Sequence, residues 1–128
     1  MSDVSVKSVD QFDSPNGGGF CRVRAGLGVT SFGMQVENFP PHFEHFPEHD
    51  HTADGQEEVY TALSGAATLH ADGKTYRLEP GVFARVGPGT TRKITTGDQP
   101  VQLLAVGATP GQPYSAPGFT EEGAPLPG

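Results

Sequence analysis

Glycine-containing turns recur through the middle of this 128-residue chain, and they constrain its fold more than any other feature. Gly65, Gly73, Gly81, Gly89 and Gly97 follow one another at intervals of eight residues, with short strand-like stretches between them. Short strands joined by tight turns at such regular spacing are typical of an all-β sandwich or barrel. Because no helical segments alternate with these stretches, a parallel α/β sheet is not expected.

The composition agrees with this fold class. The chain contains 18 glycines and 12 prolines but no tryptophan, and 34% of its residues are hydrophobic. This balance disfavours a helix-rich architecture, while the apolar run at residues 101–106 indicates a packed core. We predict one domain with a flexible segment at 1–19, a barrel at 20–107 and a proline- and glycine-rich tail at 108–128. The tail is expected to lie over the barrel, to lie over a neighbouring subunit, or to be partly disordered.

The charge balance excludes several classes of partner. With eight basic and fifteen acidic residues, the chain carries a net charge of −7, and its basic residues are scattered. It lacks a basic patch for nucleic acid, and an anionic membrane surface would repel it. No apolar run approaches the ~18 residues of a membrane span, and the N-terminus lacks the pattern of a secretory signal. With Cys21 as its single cysteine the chain forms no internal disulfide, and a cytoplasmic location is expected.

The clearest local signal is the Asp72-Gly73 pair between residues 66–70 and 74–78. Asp-Gly between two alternating stretches predicts a two-residue β-hairpin, in which Ala71 faces Lys74. This register places His70 on the polar face of the hairpin, where it is a poor candidate for chemistry. Further strands are predicted at residues 20–24, 29–39, 57–63, 82–86, 90–95 and 101–106.

Three residues before and within the strand at 57–63 form a candidate metal site. His49 and His51 are two residues apart, so an extended backbone presents both imidazoles on one face. Glu58 shares a strand face with Tyr60. Two imidazoles and one carboxylate converging from neighbouring strands suit an open iron site, and manganese, nickel, copper or zinc would also fit.

These residues carry a resemblance to small single-domain cupins. The first cupin motif is a His-x-His pair, a short gap, a glutamate, six residues and a glycine, and it resembles His49 to Gly65. The gap between His51 and Glu58 is longer than is usual in that family. Gln56 lies at the usual distance from His51 and is therefore a rival ligand, although the spacing to Gly65 favours Glu58.

The second cupin motif resembles Gly81 to Arg92, with Gly87 where a proline is usual. Arg92 stands where the family has its fourth metal ligand, a histidine. Arginine stays protonated and cannot ligate a cation, so this departure matters for function. The resemblance covers residues 29–106 and implies an antiparallel jelly-roll barrel.

Arg92 leaves two hypotheses open. In the first, His49, His51 and Glu58 hold a divalent transition metal, and Arg92 anchors a small anionic or aromatic substrate; the resemblance then implies a dioxygenase or other oxidoreductase, an isomerase or a decarboxylase. In the second, Arg92 pairs directly with Glu58 without metal, and the barrel is a ligand-binding module or a metal-independent isomerase or cyclase. Tyr60 is a second candidate catalytic residue in the first hypothesis.

The segment at 40–56 is predicted as a loop near the barrel mouth, whose aromatic residues Phe43 and Phe46 line the pocket together with Tyr60. His45 from this loop is a possible replacement for the fourth ligand. A homodimer is expected, because barrels of this kind have exposed sheet edges to cover. Six other charged residues are predicted on solvated strand faces or at subunit contacts: Arg22, Arg24, Glu37, Arg77, Glu79 and Arg85.

Overall fold

A computed structural model describes residues 2–15 and 17–127 of the chain. The strands are β1 (Phe20–Cys21), β2 (Gly33–Phe39), β3 (Glu57–Ser64), β4 (Ala67–Ala71), β5 (Lys74–Leu78), β6 (Phe83–Val86), β7 (Arg92–Thr96) and β8 (Val101–Ala108). One short α-helix, α1 (Val23–Leu27), follows β1, and single 3-10 turns lie at Val9–Gln11 and Gly118–Thr120. The predicted all-β class is confirmed.

The strands form two antiparallel sheets. The larger has the order β1-β2-β8-β3-β6, and the smaller has the order β5-β4-β7. The register of the Asp72-Gly73 hairpin is as predicted, with Ala71 opposite Lys74 and Ala67 opposite Leu78. Both hairpin positions have positive φ, 55° and 70°, which is the conformation that this turn requires.

The main core lies between the two sheets. Its fully buried members include Leu69, Leu78, Ile94 and Leu103, which come from both sheets. A second cluster, which contains Phe12, Cys21, Val23 and Val36, packs on the opposite face of the larger sheet. Phe12 belongs to the segment at 1–19 that is predicted to be flexible, and Met1 and Asn16 of that segment lie outside the described residues.

The strand predicted at 20–24 is wrong after its second residue. The chain pairs with β2 only through Phe20 and Cys21, and then turns into helix α1. The helix ends at Gly28, whose φ of 80° lets its N–H bond the carbonyls of Arg24 and Ala25. The next strand accordingly starts at Gly33, four residues later than the predicted position 29.

Two arginines at the start of helix α1, the N-cap residue Arg22 and Arg24 in the first turn, hold the C-terminal tail. Arg22, which is 2% exposed, donates to the Asp13 carboxylate at 2.7 Å and to the Ala124 carbonyl at 2.5 Å. Arg24 is buried as well and pairs with Glu121 at 2.9 Å. The prediction that Arg22 and Arg24 are solvated is therefore wrong, because acceptors from both ends of the chain converge on them.

The tail lies over its own chain, which is one of the three predicted arrangements. Gly123 N–H donates to the Asp13 carboxylate at 2.8 Å, and Phe119 packs on Phe20 with ring centroids 5.9 Å apart. We call Arg22, Arg24, Asp13, Glu121 and the Ala124 carbonyl the arginine clamp. This clamp joins segments about a hundred residues apart in sequence.

The outer face of β3 and β6 exposes apolar side chains. Phe83 is 70% exposed, and Val59, Leu63 and Val82 are also exposed. The expected homodimer stays a prediction. Among the described residues, no helix is both long and apolar enough to cross a membrane.

Candidate metal centre

Backbone pairing brings the two motif segments together. His49 and Arg92 form an isolated antiparallel bridge, with N–H to carbonyl distances of 3.1 and 2.9 Å. The His51 N–H donates to the Pro88 carbonyl at 2.8 Å. The histidine loop is thereby fixed against the start of β7 and the turn before it, even though most of that loop has no regular secondary structure.

Strand β3 supplies the carboxylate. Its alternation buries Glu58, Tyr60 and Ala62, as predicted. Ligand atoms of His49, His51 and Glu58 all lie within 4.8 Å of one another, and this is the one such group among the described residues. Glu58 Oε1 is 3.1 Å from His51 Nε2 and 3.9 Å from His49 Nε2. The geometry could therefore hold a metal ion on the three residues that the sequence indicates.

Hydrogen bonds at Nδ1 orient both imidazoles. His49 Nδ1 lies 2.7 Å from the Pro47 carbonyl oxygen, which can only accept, so we assign the Nδ1–H tautomer. His51 Nδ1 lies 3.0 Å from the nearer oxygen of Asp54 and is assigned in the same way. Both Nε2 atoms are then free to ligate. A metal-binding histidine typically donates its second ring nitrogen in this manner.

The environment of His51 Nε2 tests whether a metal fits. This atom is buried and makes no hydrogen bond within the described part of the chain, although it is only 3.1 Å from Glu58 Oε1. Two ligands about 2.1 Å from one ion are about 3.0–3.5 Å apart, so the His51–Glu58 spacing suits a shared cation, whereas His49 Nε2, at 3.9 Å from Glu58 Oε1, would move closer on binding. The donor set therefore fits a divalent metal.

Arg92 and Tyr60 both bind the same carboxylate. Arg92 Nη1 donates to Glu58 Oε1 at 2.9 Å, and the Tyr60 hydroxyl donates to that oxygen at 2.5 Å. Arg92 Nη2 donates to the Gly87 carbonyl at 2.7 Å. The Arg92 side chain has no exposed surface. The structure thus brings all five predicted site residues together, and it places Arg92 in contact with Glu58 as the second hypothesis requires.

Tyr60 is held as a neutral phenol. Burial raises its pKa well above the usual range, and the charge of the neighbouring Glu58 carboxylate raises it further. It can therefore donate a hydrogen bond across the whole physiological pH range.

Glu37 is an interior acid that sequence reasoning missed. It pairs in register with Leu103, a fully buried residue of β8, so its side chain faces the inside of the larger sheet. Burial, together with the charge of Glu58, raises the pKa of Glu37 to about 7. Glu37 therefore lies on the inner face of the sheet with intermediate exposure, and not on a solvated strand face, which was one of its two predicted placements. Strand periodicity could have placed it, because buried Phe39 lies two residues further along the same strand.

Two rival ligands lie outside the site. Gln56 is buried, but its amide donates to the Asp54 carboxylate at 3.1 Å, so it supports the group that orients His51. His45 is exposed and packs edge-on against Phe43. Asp54 was not predicted as a functional residue. Its only signal in the sequence is its position three residues after His51.

Aromatic residues of the loop pack beside the site. Phe46 is buried and lies edge-on to Tyr60, with ring centroids 6.4 Å apart, and 5.7 Å from the His49 ring. Phe43 stacks on Phe39 at 4.6 Å. Phe46 therefore forms an apolar wall next to the His49–His51–Glu58 group. Phe43 instead packs against the core residue Phe39.

The fold is that of a cupin. Residues 35–107, more than half of the chain, match the family described as Cupin domain. The chain therefore belongs to the cupin family. No curated protein sequence matches it.

Solved structures show the same fold. A cupin protein from Bacteroides fragilis superposes with a TM-score of 0.70 at 23% identity, covering 98% of this chain and 100% of that protein. A cupin-superfamily sugar phosphate isomerase from Silicibacter pomeroyi gives 0.62 at 24% identity, over 70% of this chain and 57% of that one. A predicted oxalate decarboxylase from Thermotoga maritima gives 0.51 at 23% identity, over 60% and 65%. These likenesses establish the architecture.

Proposed function

We propose that this cupin is a divalent-metal-dependent enzyme that acts on a small anionic molecule. The observation that carries the proposal is the unpartnered Nε2 of His51, buried and 3.1 Å from the Glu58 carboxylate. A ring-nitrogen lone pair and a carboxylate oxygen at this distance repel each other unless a cation or a proton lies between them, and in the Nδ1–H tautomer the ring itself supplies no proton there. His49 adds a third donor on the same side.

His49, His51 and Glu58 would hold the ion, which we take to be iron, manganese, nickel, copper or zinc. When bound, the ion supplies Lewis-acid polarisation and open coordination positions for a substrate or for dioxygen. Phe46 excludes water from one side of the centre, and Tyr60 keeps a proton on its hydroxyl beside Glu58. Two histidines and one carboxylate with open positions are the donor set of oxygenases, so we place the reaction among oxidoreductases.

We assign Arg92 a positioning role that acts through Glu58. The guanidinium is completely buried and donates to Glu58 Oε1 and to the Gly87 carbonyl, so it fixes the carboxylate in place. It also neutralises the single negative charge of the donor set. A divalent ion bound there retains its positive charge, which an anionic substrate would balance.

The second candidate function is a metal-free ligand-binding module. The direct Arg92–Glu58 contact at 2.9 Å favours it, because a buried carboxylate satisfied by a guanidinium is stable without an ion. In this case the orphan Nε2 of His51 would bond the ligand itself.

Metal analysis of protein purified without chelator separates the two functions. We expect the wild type to retain or take up a transition metal, and His51→Ala to lose it. His70→Ala is the matched control, because His70 binds Thr95 on the smaller sheet and does not belong to the metal-ligand group. Less than about a tenth of an equivalent in reconstituted wild type would reject the metal enzyme and favour the binding module.

A further inference from the structure

The outer face of the larger sheet carries apolar side chains on both halves, but the chain covers them on only one. On β2, Val36 is buried in one cluster with Phe12 and Val23. On β3 and β6, in contrast, Val59 and Leu63 are exposed, and Phe83 is 70% exposed. The second half of this face is therefore left uncovered by the described part of the chain.

Strand pairing places the three exposed side chains together. Phe83 pairs with Thr61, which lies two residues from both Val59 and Leu63 on β3. Since alternate residues of a strand share a face and paired residues lie on the same side of a sheet, all three side chains point outward. We call Val59, Leu63 and Phe83 the β3–β6 patch. It presents roughly 300 Å² of apolar surface, a size that on a single chain often marks an interaction site.

Charge around the β3–β6 patch is balanced, unlike the charge of the whole chain. Glu57 and Arg85 are the two charged residues of β3 and β6 that share the face of the patch, and they pair at 2.7 Å. The chain as a whole carries a net charge of −7, so two copies repel each other over most of their surfaces. At the patch, two copies can approach without that repulsion.

The patch also lies at an open edge of the sheet. Strand β6 is the last in the order of the larger sheet, and no described strand pairs with its outer side. An edge strand presents unpaired N–H and C=O groups, which proteins commonly cover. Both the apolar face and this edge are therefore suited to a partner.

We propose that the β3–β6 patch is the contact face of a homodimer related by a two-fold axis. Phe83 of each copy would lie against the patch of the other, and Glu57 would face the partner's Arg85 at the rim. A second copy suits this face because a two-fold interface uses one surface twice, and a face with one charge of each sign complements itself. A standard interface buries about 800 Å² per copy, somewhat more than half of it apolar, so the patch supplies most of the apolar part.

Sedimentation equilibrium of the full chain at about 1 to about 100 µM tests this interface. We expect wild type to form a dimer, and Phe83→Asp to raise the dissociation constant at least about thirtyfold, because a charge replaces the central aromatic ring. Tyr76→Asp is the matched control, since Tyr76 is an exposed tyrosine of β5 in the other sheet and should leave the constant unchanged. Circular dichroism establishes that each variant is folded. Monomeric wild type at about 100 µM, or equal dissociation constants for wild type and Phe83→Asp, would overturn the proposal.

Charge exchange tests how the two copies are oriented. Arg85→Glu leaves the face with two acids, and Glu57→Arg leaves it with two bases, so each variant alone should dimerise about tenfold more weakly than wild type. An equimolar mixture of the two variants should form mixed dimers about as tightly as wild type, because opposite charges then meet. A mixture that associates no more tightly than either variant alone would reject contact between Glu57 and the partner's Arg85, and with it the two-fold arrangement.

Discussion

The molecule uses buried arginines in two regions, and the two uses differ. At the candidate metal centre, Arg92 binds the Glu58 carboxylate and the nearby Gly87 carbonyl, both within the residues that match the cupin family. In the arginine clamp, Arg22 and Arg24 bind groups outside that range, near the two ends of the chain. Arg92 therefore fixes one carboxylate of the candidate site, whereas Arg22 and Arg24 fix the C-terminal tail against the rest of the chain.

Because their partners differ, replacing Arg92 should have a local effect, whereas replacing a clamp arginine should affect the stability of the whole chain. Arg92 acts on one carboxylate, so its replacement should change metal binding. The clamp closes a loop of about a hundred residues, so its replacement should release the tail and cost folding free energy. Glu37 lies between the candidate metal centre and the arginine clamp. It pairs with Phe20 of β1, and the charge of Glu58 contributes to its raised pKa.

Breaking the clamp should have the largest effect. Arg22→Ala removes two hydrogen bonds from a buried site, and we expect it to lower the free energy of unfolding by about 3 kcal/mol. Amides of the tail should lose protection in hydrogen exchange at the same time. Urea denaturation and hydrogen exchange of the same sample measure both effects.

The matched control is Arg85→Ala. Arg85 also pairs with a carboxylate, Glu57, at 2.7 Å, but its side chain is 63% exposed, so less than about 1 kcal/mol should be lost. If Arg22→Ala costs no more than Arg85→Ala, or if its tail amides stay protected, the two regions do not differ as described.

Glu37→Gln tests whether Glu37, between the candidate metal centre and the arginine clamp, makes the free energy of unfolding depend on pH. The folded-state pKa of Glu37, about 7, lies above its ordinary value of 4.5, so stability should fall as pH rises from about 4.5 to about 7 and then level off. Removing the acid should raise stability at about pH 8 by about 3 kcal/mol and flatten that slope. Urea denaturation across this pH range checks it. Glu79→Gln, at an exposed glutamate, should change neither, and an unaltered slope in Glu37→Gln would contradict the interior placement.

Asp54→Ala tests whether the orientation of the His51 ring matters for metal binding at the candidate centre. Asp54 orients the His51 ring through Nδ1, so its loss should weaken Co²⁺ binding about tenfold. Asp50→Ala, in the same loop, removes a carboxylate that bonds the Thr52 backbone N–H and should leave the affinity unchanged. Equal affinities in the two variants would mean that His51 needs no orienting partner.

Sequence reasoning could find the candidate metal centre because its three residues are close in the chain and follow strand periodicity. His49 and His51 are two apart, and Glu58 and Tyr60 share a strand face. The clamp could not be found in this way, because Arg22 and Arg24 have no local signal for their partners near residue 121.

The most direct test of the three-ligand centre is a Co²⁺ titration of wild type beside Arg92→His, with Arg92→Met as the variant that removes the guanidinium without adding a ligand. Circular dichroism establishes that each variant is folded. We predict that wild type binds about one equivalent, and that Arg92→His binds about tenfold more tightly than Arg92→Met because the new imidazole can ligate. Binding of less than about a tenth of an equivalent by wild type, or identical affinities for the two variants, would contradict a metal centre built on His49, His51 and Glu58 beside Arg92.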